Sequence, residues 1–158
     1  MPGVEVRPGS ADTLAVIADF LQVHGPRRQF FPTYRLDDFA GGTKLRGLKP
    51  EDIMVAWRGE VVVGVMAAWD QAGYKQDVVD AYGPWLWRLR PAYDLFARLI
   101  GARPLTPPGQ AIPLAFAALT CVAEDDPGVM RALISACAQH SLDCGKAFLM
   151  IGLADGDP

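Results

Sequence analysis

This sequence predicts an α/β domain of the α+β kind, with a mixed central sheet and helices on both faces, and three stretches carry the prediction. Residues 53–69 form two apolar, β-branched arms joined at Arg58-Gly59-Glu60, the signature of an antiparallel hairpin. Residues 115–122 are a Pro-bounded apolar run of strand length. After them come a helical stripe and a second apolar run at 146–153, an order that predicts a right-handed parallel β-α-β unit.

The chain has 158 residues, of which 51% are hydrophobic, enough for one domain with its own core. A formal charge of −3 argues against general nucleic-acid affinity. The apolar runs are too short, or too often broken by Pro and Gly, to span a bilayer. The N-terminus lacks the basic and apolar blocks of a signal peptide. Cys121, Cys137 and Cys144 are odd in number and sit in apolar contexts without metal-ligand spacing, which predicts reduced thiols and a cytoplasmic location. His24 and His140 have no metal spacing either and read as solvent or helix-end residues.

Taken in order, Val4 to Arg7 alternate like a short strand. Ser10 is positioned as a helix N-cap, and Leu14, Ile17, Ala18 and Leu21 form one apolar helical stripe that Gly25-Pro26 should stop, with Gly25 as a left-handed cap. Phe30, Phe31 and Tyr34 form an aromatic cluster interrupted by Pro32. Arg27, Arg28 and Arg35 lie beside it, and solvated arginines on a cover over the core are favoured over a phosphate surface. Residues 37–39 predict one helical turn, and Gly41-Gly42 a loop.

A helical insertion is expected at about 73–110, in short pieces. Val78, Val79 and Tyr82 suggest one helix, Trp85, Leu86 and Leu89 a second, and Tyr93, Phe96, Ala97 and Ile100 a third after Pro91. Its Arg and Trp content raises a membrane-surface helix, but the prolines should break any continuous amphipathic face. Packing on the sheet or on a second subunit, in a homodimer, is therefore expected. Asp125-Asp126-Pro127-Gly128 should open the last helix, with Val129, Met130, Leu133, Ile134, Cys137 and Ser141 on one face and Gly145 ending it.

Particular residues resemble the GNAT acyltransferase superfamily: Val4-Glu5-Val6-Arg7 followed by Asp12, then Val55-Ala56-Trp57 with Val61-Val62-Val63-Gly64-Val65, then Leu119-Thr120-Cys121-Val122, and Ala132-Leu133-Ile134 running to Gly145. The likeness covers most of the chain outside the insertion. It implies acetyl transfer from acetyl-CoA to an amine, which would be a small molecule, a protein N-terminus or a lysine. The backbone at Cys121 and Val122 would meet the pantetheine arm, and Gly128, Val129 and Arg131 the pyrophosphate at a helix N-terminus. Glu124, or failing that Asp70, would be the base. The family's pyrophosphate loop is usually Gln/Arg-x-x-Gly-x-Gly/Ala. Here Glu124, Asp125 and Asp126 place three carboxylates in it, Pro127 removes a donor, and Asp126 can cap the helix itself. A non-catalytic module of the same fold, binding a ligand or a partner protein, is the alternative. The family continues with a further helix and two strands, so a piece of a longer chain, or a sheet completed by another chain, is expected.

One polar cluster stands out at a strand end. Trp69, Asp70, Gln71, Tyr74 and Lys75 bring acid, amide, phenol and amine together and would suit a small polar ligand, with Asp70 and Lys75 as a possible local ion pair.

Overall fold

The computed structural model describes residues 3–28, 31–39 and 44–153. The expected loop at Gly41-Gly42 and one member of the aromatic cluster, Phe30, lie outside these residues. The chain folds as two compact units. The first runs to Gln71 and resumes at Leu114; the second is Ala72–Pro113.

In the first unit, strands β1 (Glu5–Pro8), β2 (Ile53–Arg58), β3 (Val61–Trp69), β4 (Leu114–Val122) and β5 (Phe148–Met150) lie in sequence order across one sheet. The first three pairings are antiparallel, and β4 with β5 is parallel. The sheet is therefore mixed, with the expected hairpin and β-α-β unit. The hairpin turns on Gly59, whose φ of 65° is left-handed backbone that glycine takes without strain.

Strand alternation sends the hairpin's side chains to two opposite cores. Ile53, Val55, Val65 and Ala67 pack with Ile17, Phe20 and Leu21 of helix α1 (Leu14–His24). Met54, Ala56, Met66 and Ala68 pack with Val129, Met130, Leu133 and Cys137 of the long helix Pro127–Asp143 that connects β4 to β5. Gly64 is what lets that helix lie so close, since a Cβ there would sit 2.7 Å from Val129 Cγ1 and 2.9 Å from Leu133 Cδ1. A one-turn helix, α2 (Leu36–Phe39), follows the aromatic segment, where Phe31 and Tyr34 meet edge to face at 5.9 Å.

Three expectations are corrected. Gly25 is right-handed (φ −56°), because the chain continues from α1 into a 3-10 turn, Gly25–Arg27. What glycine supplies there is space, since a Cβ would collide with the Phe31 ring. The last strand is confined to Phe148–Met150. The second and third of the insertion's expected helical pieces are in fact one helix, α3 (Pro84–Leu99), running through Pro91, which makes the Pro127–Asp143 helix α4. Val78 is not helical but forms an antiparallel bridge with Ala111. Among the described residues, no helix is long and apolar enough to cross a membrane.

Candidate functional site

The β4–β5 register stops at Phe116↔Met150, while β4 continues to Val122. Among the described residues no strand pairs with Ala117–Val122 on that side, and β3 pairs on the other. Cys121 and Val122, which the resemblance assigns to a pantetheine arm, lie on this stretch opposite Val65 and Gly64. The edge is also irregular. The register with β3 shifts between Val65 and Ala67, and Leu119 is held at φ 55°. A bulge of this kind re-aims backbone groups and is common beside functional sites.

Past Val122 the chain makes a 3-10 turn, Ala123–Asp125, in which Glu124 (φ 56°) and Asp125 (φ 49°) are both left-handed. Asp126 then caps α4. Its Oδ1 accepts from the N–H of Gly128 at 2.7 Å and of Val129 at 3.3 Å, and its Oδ2 accepts from Arg58 at 2.9 Å. The Gly128 N–H, then the Arg58 guanidinium, then the Val129 N–H hold this carboxyl below the usual range. Arg131, expected to reach an anion, donates to the Pro127 carbonyl at 3.4 Å.

The three carboxylates are not left to repel one another. Arg27 reaches Glu124 at 3.3 Å, Arg28 reaches Asp125 at 3.4 Å, and Arg58 meets Asp126. The reading of Arg27 and Arg28 as merely solvated is corrected accordingly. The Arg27–Glu124 pair is largely exposed and holds weakly, whereas the Arg28 side chain is mostly enclosed and meets an exposed Asp125. Three guanidiniums thus stand around a helix N-terminus, each neutralised by a carboxylate from the same loop. Cys121 offers no nucleophile, because burial pushes its thiol up to about 11 and that of Cys137 to about 12.

The other end of β4 carries a second polar group. Asp70 pairs with Lys146 at 2.6 Å, and Trp69 Nε1 donates to the Arg46 carbonyl at 3.0 Å, holding the indole at the rim of the core. Asp70 lines a cleft of about 250 Å³ with Lys49, Asp52, His140, Cys144 and Lys146. His140 Nε2 lies 3.0 Å from Asp52 Oδ1 and 3.7 Å from Cys144 Sγ. Sequence reasoning missed this cluster, because Asp52 and His140 are 88 residues apart. Gln71 ends the first unit, whereas Tyr74 and Lys75 belong to the second. Asp70 and Glu124 are not brought together. Trp69 pairs with Phe116, near the start of β4, and Glu124 follows its end, so roughly 20 Å of strand separates them.

No family model and no curated protein matches the chain. Among solved structures it is similar to the "C-terminal condensation domain of Ebony in complex with beta-alanyl-dopamine", at 13% identity and a TM-score of 0.50, over 98% of this chain and 78% of that one. The likeness is one of fold.

Proposed function

We propose that this chain binds an acyl thioester such as acetyl-CoA along the open edge of β4 and transfers the acyl group to an amine. The observation that carries this reading is the six-residue stretch Ala117–Val122, which no strand among the described residues pairs on that side, leading directly to a helix N-terminus beside Arg27, Arg28 and Arg58. Six residues of strand span about 20 Å, room for an extended chain such as a pantetheine arm. Measured back from Val122, they reach the point near Phe116 where β5 pairing begins. Edge backbone groups would meet the arm's amides, and the arginines would meet the phosphates once their carboxylates swing aside. That a condensation domain with a β-alanyl-dopamine ligand shares this fold supports the same class of chemistry.

This placement redistributes the catalytic roles. Glu124 stands at the phosphate end, and Asp70, one residue beyond the Trp69↔Phe116 pair, is the carboxylate nearer the acyl end. When bound, the thioester supplies an acyl group whose C–S bond breaks as the C–N bond to the amine forms. Asp70 takes the proton the amine loses. Asp70→Asn should lower kcat with KM for acetyl-CoA unchanged, and Glu124→Gln should leave kcat within about twofold.

A second reading, a non-catalytic binding module, is favoured by Asp126, which occupies the Gly128 and Val129 N–H groups that an external anion would need. Calorimetric titration with acetyl-CoA separates the two. The transferase reading expects binding that weakens in Arg58→Ala and tightens severalfold in Asp126→Asn, which keeps a capping side chain but removes its charge. Absence of both heat and thermal shift at millimolar acetyl-CoA, in the wild type and in Asp126→Asn, would overturn it.

A further inference from the structure

Helix α3 turns most of its large apolar side chains outward. Its inward stripe sets an ion pair beside the buried Ala97 and half-buried Leu86: Arg90 Nε lies 3.3 Å from Asp94 Oδ2, both side chains are mostly buried, and the pair grips the following loop. Asp94 accepts from the Leu105 N–H at 2.9 Å, and Arg90 donates to the Leu105 carbonyl at 3.3 Å. The outward arc is apolar. Trp85, Leu89, Phe96 and Leu99 follow one another at four- and three-residue helical steps through Ala92, flanked by Tyr93, Leu95 and Ile100. All seven large side chains are exposed, Trp85 at 68% and Leu99 at 76%. A continuous apolar surface of this size marks an interaction site.

The charge around the arc says what covers it. The second unit holds five basic and three acidic side chains, a balance of +2, against ten and fifteen in the remainder of the chain, −5. Arg88 borders the apolar arc and Arg98 lies beyond it, and neither meets a carboxylate among the described residues. The helix's one acid, Asp94, is already committed to Arg90 and Leu105. A second copy packed α3 against α3 would therefore set Arg88 against apolar side chains with no free carboxylate from that helix. An anionic lipid surface supplies phosphates at that depth, takes Trp and Tyr at its boundary, and lets Arg stems lie along the apolar layer. The prolines do not interrupt the face, because α3 is continuous through Pro91.

We infer that α3 is a membrane-surface helix that docks the second unit on anionic lipid. The test is flotation of the whole chain with vesicles of phosphatidylcholine, alone and mixed with phosphatidylserine, combined with light scattering of the protein without lipid. Co-flotation with the mixed vesicles, at least tenfold weaker with phosphatidylcholine alone and reduced by salt, is expected. Leu89→Glu and Arg88→Glu should each abolish it, and because both residues are exposed, circular dichroism should be unchanged. Blue-shifted tryptophan emission on adding the mixed vesicles to the wild-type protein gives a readout independent of the variants. Protein that stays in the bottom fraction with both vesicle types would overturn the inference. So would a dimer in solution that Leu89→Glu dissociates, which would assign the face to a second copy.

Discussion

The two units solve the same problem in opposite ways. In the first, β2, β3 and β4 send apolar side chains into two cores, and Ile17, Leu21, Met66 and Leu133 are wholly buried. Its charges stand at the rim of those cores, some exposed, as in Arg27–Glu124, and some mostly enclosed, as Lys146 and Asp52 are. In the second, a mostly buried guanidinium and carboxylate hold a loop beside the buried Ala97, and most of the large apolar side chains of α3 face outward. Burial of apolar surface gives the first unit stability that rises with every packed methylene. The second rests on a few hydrogen bonds, each worth about 1 kcal/mol net. A unit so held opens at lower free energy than the sheet it interrupts.

Substitutions can sharpen or break that contrast. Leu133→Ala empties a site in the first unit that is 0% exposed, and should cost about 2–5 kcal/mol in urea unfolding. Gly64→Ala forces a methyl against Val129 and Leu133, and should cost about 1–3 kcal/mol by pushing α4 off the sheet. Asp94→Ala leaves Arg90 and the Leu105 N–H without their partner. It should lower stability by about 1–2 kcal/mol, with hydrogen exchange rising at residues 85–105 and little changed in β2 and β3. Phe96→Ala should change stability by less than about 0.5 kcal/mol although it removes a whole aromatic ring. A large cost there would mean that Phe96 is core, and the contrast would collapse.

Legibility in the sequence tracked the range of the forces involved. The hairpin, β4, α4 and α1 were readable because alternation and helical stripes are local records of which face is buried. Helix α3 was not. Pro91 normally ends a helix because its ring crowds the preceding turn and it has no N–H to donate, and whether a sixteen-residue amphipathic helix carries on through it cannot be judged from neighbours in sequence. The arginine–carboxylate pairs were hidden for another reason. Arg27 and Glu124 lie 97 residues apart, and Arg58 and Asp126 lie 68 apart, so only the assembled sheet brings them together. The left-handed leucine at 119 left no mark in the sequence, which offered neither Gly nor Asn there.

The bridge between Val78 and Ala111 also bears on how the sheet assembles. Pairing β3 with β4 means closing residues 70–113, a loop of forty-four. The bonds Val79 N–H to Gln110, Gly109 N–H to Val79 and Ile112 N–H to Asp77 fasten that loop near its base. Once they form, only about ten free residues remain, which lowers the entropic cost of closure by about 1 kcal/mol. A unit that contributes little to the finished core would thus set the rate at which its central strands meet.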